Sequence, residues 1–337
     1  MAKVNVRDIS RVTGYSPATV SNALNHKRNV SEETAKVIRE TAQAMGYQQP
    51  SLLKTIQFVQ ARKNGKIIDE STFHPAVIEG VEQQAKRHGM TTTFVTVDFS
   101  DLDACRLQVE ALVSNPSAAL ILLGTELMEE DYDLLGDVKA HLVVLDGWSE
   151  RHDFDAVLMA NEDSSGHATA HLLERGHTKI GYLAGDFRIH NFQAREHGYA
   201  RTLRAAGIQP DPRWRVELGT TLETAYADMS AWLDSMSPDE LPTAFFADND
   251  VLAVGAMRAL AEHGVRVPDD VSIVGFDDIS MCAFSDPPLT TIHVLKHEVG
   301  QIAVEQLVDA MDEPRDYTCK TQVSTYLVER GSVRDLR

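Results

Sequence analysis

From residue 55 onward the chain alternates short apolar runs with longer amphipathic segments, and this alternation restricts its fold more than any other feature. Strands are predicted at 55–60, 91–97, 118–123 and 141–146, with helices at 75–88 and 103–114 between them. A second series begins near Asn161, with helices at 164–175, 194–206, 222–235 and 250–263 and strands at 179–184, 243–247 and 271–276. Such βα alternation builds parallel sheets covered by helices on both faces, with ligand crevices at the carboxyl ends of the strands. Two such units facing each other enclose a cleft. A length of 337 residues leaves room for two to three packed units.

No window approaches the roughly 18 uninterrupted apolar residues of a membrane-spanning helix, and Met1-Ala2-Lys3-Val4-Asn5 lacks the apolar stretch of a secretory signal. The protein is therefore expected in the cytoplasm, with no membrane partner. Cys105, Cys282 and Cys319 are far apart and odd in number. They give neither a disulfide framework nor a Cys-x-x-Cys site, and are expected as buried thiols. Charge is unevenly divided. Residues 1 to 54 hold eight basic side chains against four acidic, a net +4, so the overall −18 leaves −22 for the remainder. A basic head on an acidic body points to a polyanion reader whose body stays off the polyanion, with chance unevenness as the plain alternative.

The head reads as three short helices. Val6, Ile9 and Val12 recur at roughly helical spacing and stop at Gly14-Tyr15. Ser16 is a good N-cap, Pro17 suits the first helical position, and Val20 and Leu24 share one face. Ser31-Glu32-Glu33-Thr34 opens a longer helix with Ala35, Ile38, Ala42 and Met45 inward and Gly46 as its stop. A tight Gly turn between the first two makes a helix-turn-helix unit.

The residues themselves, Val6-Arg7-Asp8-Ile9, then Gly14-Tyr15-Ser16-Pro17-Ala18-Thr19-Val20-Ser21-Asn22-Ala23-Leu24-Asn25, Val30-Ser31 and Gly46-Tyr47, resemble the DNA-binding domain of the lactose/galactose repressor (LacI/GalR) family. That resemblance implies a recognition helix from Ser16 to Asn25 lying in the major groove of operator DNA, with Thr19 and Ser21 on phosphates and Pro17, Ala18 and Asn22 at base edges. Pro17 and Ala18 offer only apolar contact, for example to a thymine methyl. Asn22 suits adenine, where the arginine frequent in the family suits guanine; the alternative is a solvated helix residue. So small a head reads one half-site weakly, so a homodimer on a pseudo-palindrome with half-sites ~10 bp apart is expected. The C-terminal run from Leu327 to Arg337 has no apolar heptads that would add a tetramer.

The joint departs from the family pattern. Gly46-Tyr47-Gln48-Gln49-Pro50-Ser51-Leu52-Leu53-Lys54 is several residues shorter than usual and lacks Ala-Arg-x-Leu, which sets aside the usual hinge helix. Leu52 and Leu53 act either as a minor-groove wedge or as the first apolar residues of the next strand's packing.

The body carries the resemblance too, in Glu174-Arg175-Gly176-His177, Ala247-Asp248-Asn249-Asp250, Val267-Pro268-Asp269-Asp270-Val271 through Gly275-Phe276-Asp277-Asp278, and Pro287-Pro288-Leu289-Thr290-Thr291. It implies an α/β fold: a helix-turn-helix domain (1–48), a short linker (49–55) and a two-subdomain periplasmic-binding-protein-like core (56–337) with parallel sheets. The N-subdomain is expected at about 56–160 plus 292–321, the C-subdomain at about 161–291 plus 322–337. The resemblance places effector contacts at Asp146, Arg195, Asn249 and Asp277. A guanidinium fork and acceptor carboxylates suit vicinal hydroxyls. The alternative for each carboxylate is a helix cap or an ion pair. Phe73, Trp148, Phe187 and Phe276 stand near strand ends, to stack on a sugar or base or simply to fill the core. His74 sits where the first strand's loop meets its helix, and 62–72 reads as a loop at the pocket mouth. A sugar or glycoside effector is favoured, with a purine as competitor and a partner protein as a further alternative.

His167, His171 and His177 lack the glutamate of a His-Glu-x-x-His zinc site, and neither dinucleotide, P-loop nor nucleophile-elbow patterns occur, so neither metal, cofactor nor enzymatic activity is expected. A solute-binding protein would share the body but not the head. The sequence thus reads as an allosteric DNA-binding transcriptional regulator, most simply a repressor.

Overall fold

The computed structural model of the chain describes residues 4–24, 30–45, 47, 54–70, 72–313 and 315–337. It divides into two compact units, Met1–Leu52 and Leu53–Arg337.

The head contains α1 (Val6–Thr13), α2 (Pro17–Leu24) and α3 (Glu32–Ala44). Asn5 caps α1 by accepting from the Arg7 and Asp8 amides, and the Asp8 carboxylate returns a bond to the Asn5 N–H at 3.1 Å. The turn requires a left-handed residue, supplied by Gly14 at φ +76°, and Ser10 Oγ donates to the Tyr15 carbonyl at 2.6 Å to close it. Ile9, Val20, Ala23, Leu24, Ala35, Ile38 and Ala42 form the core, ringed by half-buried Val6, Tyr15, Met45 and Tyr47. Val12 departs from expectation and is exposed. Spacing of three residues drifts by about 60° per step on a helix, so the third member of the Val6, Ile9, Val12 series leaves the buried stripe.

In the body, β1 (Thr55–Arg62), α4 (Lys66–Glu70), α5 (Phe73–Arg87), β2 (Thr91–Asp98), α6 (Leu102–Val113), β3 (Ala119–Leu123), β4 (His141–Leu145) and β5 (Asp155–Met159) come first. There follow α7 (Asn161–Glu174), β6 (Ile180–Gly185), α8 (His190–Ala205), β7 (Arg215–Leu218), α9 (Leu222–Asp234), β8 (Ala244–Ala247), α10 (Asp250–Glu262) and β9 (Ser272–Asp277). Last are β10 (Thr290–His293), α11 (Lys296–Asp312), β11 (Lys320–Val323) and β12 (Tyr326–Val328). Among the described residues the strands form two six-stranded sheets, β11-β5-β4-β3-β1-β2 and β12-β10-β9-β8-β6-β7, parallel except for the β10–β12 pair. Central strands such as Ala119–Leu123 are buried along their whole length, as parallel strands covered on both faces must be.

Each sheet is the centre of one lobe, and the chain passes between them after β5, after β10 and between β11 and β12. β10 ends at His293 and β11 at Val323, so each lobe runs two residues beyond the ends expected at about 291 and 321. The expected loop at 62–72 carries the short helix α4, and α8 begins at His190, a full turn before the expected 194. Cys105 and Cys282 are buried, but Cys319 is exposed, because it precedes the outer strand β11 rather than lying under a helix.

α11 returns to the first lobe and packs against α5, where two glycines permit backbone contact. A Cβ on Gly80 would sit 2.2 Å from the His297 carbonyl oxygen, and one on Gly300 would sit 2.2 Å from that of Val77. Gly300→Ala is therefore expected to destabilise the body by ~1–3 kcal/mol through overpacking. Trp148, Trp214 and Trp232 all lie in the body, so the urea midpoint read by tryptophan fluorescence checks it; an unchanged midpoint would contradict the close helix crossing.

Candidate functional site

The carboxyl ends of the strands of both lobes converge on one tightly closed cavity of about 20 Å³. From the first lobe come Phe73 and His74 at the start of α5, Ile67 from α4, Thr125 beyond β3 and Asp146 beyond β4. The second contributes Ile189, Asn191, Phe192 and Arg195 from the start of α8, Asn249 at the N-cap of α10, and Asp277 at the end of β9. All of these side chains are buried.

Asp146 sits in the left-handed region at φ +56°, a conformation that costs energy for a residue with a Cβ. Its Oδ2 accepts from Thr125 Oγ1 at 2.7 Å and its Oδ1 from Asn191 Nδ2 at 2.8 Å. The second bond joins the lobes. Burial pushes the Asp146 carboxyl up to about 6, against the opposing Thr125 hydrogen bond and the Arg195 charge. Burial drives His74 down to about 4, partly opposed by the Ile68 backbone, so its ring is neutral near pH 7. His74 Nε2 is 3.2 Å from Thr125 Oγ1, while Nδ1 is buried without a hydrogen-bond partner.

Arg195 is the buried cation of the site. Its guanidinium lies over the Phe276 ring, 3.7 Å from the centroid. Nε donates to Asn161 Oδ1 at 2.9 Å, Nη1 to the Asp248 carbonyl at 2.6 Å, and Nη2 lies 3.4 Å from Asp277 Oδ1. That Asp277 oxygen is buried and accepts no hydrogen bond. Asp277 and Asp278 have φ of +110° and +53°, and Lys296 Nζ holds this bend by donating to both their carbonyls. Burial raises the Asp277 carboxyl, against the charges of Arg195 and Lys296.

Of the expected effector residues, Phe73, His74, Asp146, Arg195, Asn249 and Asp277 share the cavity. Phe276 is the floor beneath Arg195 rather than a lining residue. Phe187 packs half-buried against Ile67, Ile189 and Phe192, an apolar cluster at the cavity's edge. Trp148 lines an adjoining cleft instead, its ring parallel to that of His190. Sequence reasoning missed Thr125 and Asn191. Thr125 follows an apolar strand just as Asp146 does, and Asn191 stands one turn before Arg195, so both carried a usable signal.

In the head, Ser16 Oγ accepts from the Thr19 amide at 3.1 Å and shares a 2.8 Å hydrogen bond with the Thr19 hydroxyl. This starts α2 with Ser16, Pro17 and Ala18 exposed, while Thr19, Ser21 and Asn22 are half-buried. Asn25, Leu52 and Leu53 lie outside the described residues.

A helix-turn-helix reader followed by a two-lobed receptor defines a ligand-responsive transcriptional regulator rather than an enzyme. Residues 5–50 match bacterial regulatory proteins of the lacI family, and residues 169–333 match the periplasmic binding protein-like domain. The chain belongs to the lacI family and is a DNA-binding transcriptional repressor. It is 29% identical over 332 residues to the HTH-type transcriptional repressor PurR of Pasteurella multocida (strain Pm70), covering 98% of each chain. A PurR of Haemophilus influenzae (strain PittEE) is 29% identical over 336 residues, covering 98% of this chain and 99% of that one. The fold is shared with a cellobiose complex of the transcriptional regulator CelR, at 24% identity and TM-score 0.73, covering 98% of this chain and 100% of that one. It is also shared with a lac repressor dimer bound to operator and the anti-inducer ONPF, at 23% identity and TM-score 0.71, covering 99% and 100%. Among the described residues no helix is long and apolar enough to cross a membrane.

The buried Asp146 gives a pH signature. Its pKa is raised on folding from 3.8 to about 6, so its contribution to stability is full below the ordinary value and is lost as pH rises through 6. The stability difference between wild type and Asp146→Asn is therefore expected to shift toward the variant by roughly 1 kcal/mol between pH 5 and pH 7.5. Urea unfolding at the two pH values measures it, and a pH-independent difference would contradict the raised pKa.

Proposed function

We propose that this chain is a cytoplasmic repressor that binds a pseudo-palindromic operator as a homodimer, and that a carbohydrate in the cavity between its lobes sets its affinity for DNA. Residues 1–48 act as the reader, 49–55 as the linker and 56–337 as the receptor. The observation that carries the effector reading is the balance of donors and acceptors. Arg195, Asn191 and Lys296 direct donors to protein acceptors, whereas the buried Asp277 Oδ1 has no hydrogen bond shorter than its 3.4 Å ion-pair contact with Arg195. Such a site favours a neutral ligand rich in hydroxyl donors, since buried acceptors left unpaired cost ~1–3 kcal/mol each. The apolar sides of Ile67, Ile189 and Phe192 suit the C–H faces of a sugar ring. The cellobiose held by CelR is in keeping with this reading.

A purine is the second reading, favoured by the relatives that bear the name PurR along their whole length. Either ligand acts by population shift. Bonds to both lobes favour one lobe orientation, and a coupling of ~1–3 kcal/mol changes operator affinity about 5- to 150-fold.

Titration of the full-length protein with monosaccharides, glycosides and purines, followed by thermal shift, is the test. A sugar is expected to raise the melting temperature, and Asp277→Asn to abolish that response at saturating wild-type concentrations. Stabilisation by purines alone would replace the carbohydrate reading with the purine one. For the head, Asn22→Ala is expected to relax the preference for adenine at one operator position by ~1–3 kcal/mol while leaving phosphate-driven binding largely intact. Selection from random duplexes followed by affinity measurement reads this, and an unaltered preference would remove Asn22 from base readout.

A further inference from the structure

We propose that the effector cavity is the inner of two carbohydrate subsites and that the adjoining cleft at Trp148 is the outer one, so that the effector carries at least two rings. The proposal rests on the carbohydrate reading above and extends it. The outer cleft has a volume of about 500 Å³, against about 20 Å³ for the inner cavity, which must widen as the lobes open to admit a ring. Both lobes form it. Trp148 and Gln322 come from the first, His190 and Gln193 from the second, and Asn161 stands at the crossing between them.

Its chemistry is that of neutral-sugar recognition. The exposed Gln322 amide can donate and accept at once, as ring hydroxyls require, and Gln193, whose Nε2 donates to the Arg188 carbonyl at 2.9 Å, keeps its amide oxygen as an acceptor. Trp148 presents a large flat ring whose apolar face suits the C–H side of a pyranose. It faces His190 across the lobes with centroids 6.0 Å apart and an interplanar angle of 16°. Separation of the lobes therefore opens a slot between two flat faces. Burial lowers the His190 pKa, which keeps the ring neutral. Glu150, Glu162 and Asp163 border the cleft, and its guanidinium, Arg201, is paired with Glu162 and with Asp163 at 3.2 Å. Lys320 Nζ stands over the Trp148 ring, 4.8 Å from its centroid, and donates to the Ser149 and His152 carbonyls, so it too is engaged, and three carboxylates at the rim favour an uncharged saccharide over a sugar phosphate.

The partition between the subsites is one side chain thick. Asn161 Nδ2 donates to Asn191 Oδ1 at 2.9 Å, and Asn191 Nδ2 donates to Asp146 Oδ1 at 2.8 Å. Asn161 thus belongs to the outer wall while also accepting from Arg195 of the inner cavity. Because the Asn191–Asp146 bond crosses the lobes, opening parts it, and a ligand hydroxyl can take Asn191's place on Asp146 while the next ring lies against Asn161 and Trp148.

Isothermal titration of the full-length protein with glucose, cellobiose and maltose, and with galactose and lactose, tests this. At least one disaccharide is expected to bind tenfold or more tightly than its monosaccharide. Trp148→Ala and, separately, the exposed Gln322→Ala are each expected to remove most of that gain, with circular dichroism melting to show that both variants fold. Equal affinity for one ring and two, or a gain that survives both substitutions, overturns the outer subsite and leaves the carbohydrate reading standing. Failure of every saccharide to bind, with a purine binding, overturns both.

Discussion

The body is organised around one costly feature, a guanidinium buried at the meeting point of two sheets. An isolated charge there would be strongly destabilising, and a buried ion is tolerated only when its partners are fixed. Arg195 meets that condition through four groups from three places in the chain: Asn161 at a crossing, the Asp248 carbonyl after β8, and, at the end of β9, Asp277 and the Phe276 face below. Those partners fall into line only because parallel strands deliver their carboxyl ends to one edge. Asp248 is itself bound by Tyr182, Arg188 and the Gly185 amide. The charge at the cleft is thus one end of a network that reaches the lobe's interior.

That network sits almost entirely in the second lobe, and this asymmetry gives the cleft its mechanics. The first lobe supplies Asp146 and His74, held through Thr125, and meets the second through the Asn191 amide, the Trp148–His190 ring pair, the Lys296 bonds to the Asp277 and Asp278 carbonyls and the apolar cluster of Ile67, Met128, Ile189 and Phe192. Beside the three covalent crossings the apolar core is itself continuous, with Phe73 and Met159 of the first lobe and Tyr182 and Phe276 of the second in one cluster, so the lobes are joined by packing as well as by chain. Ile67 is itself well placed. Buried Glu126 accepts from the backbone amides of Lys63, Asn64, Gly65 and Ile67, so the segment carrying it is fixed to the first lobe rather than free.

Much of this was legible in the sequence, and what was not has physical reasons. Apolar runs such as 119–123 announce buried parallel strands, and the residue that follows such a run is where a ligand is met, which is how Asp146 and Asp277 stood out. The Ser16-Pro17 start of α2 was equally plain. Crossings came only through the family resemblance, because no local pattern says that α11 returns to the first lobe; its Val299, Ala303, Leu307 spacing marks a helix and nothing of its destination. Which compartment Trp148 lines was not legible for a related reason: three residues beyond the end of β4 is far enough for a loop to carry a side chain into the adjoining cleft, and only coordinates distinguish the two. Asn25, Leu52 and Leu53 fall outside the described residues, so the joint is known from its residues alone.

The backbone strain at the site bears on what the cleft is for. Among the described residues, the non-glycine positions with positive φ are Asp146, Asp277 and Asp278, and two of these line the inner cavity. Each costs of order 1–3 kcal/mol, which selection for stability alone would remove by placing glycine there. A glycine would lose the carboxylate. The retained strain therefore argues that the carboxylates themselves are needed: Asp146 accepts from Thr125 and Asn191, Asp278 pairs with His293 and Arg330, and Asp277 Oδ1 faces Arg195 Nη2 at 3.4 Å. The Asp277 contact is a long ion pair rather than a short hydrogen bond, so a ligand that donates in the cleft adds to the Arg195 charge at the one strained carboxylate whose oxygen is least well satisfied.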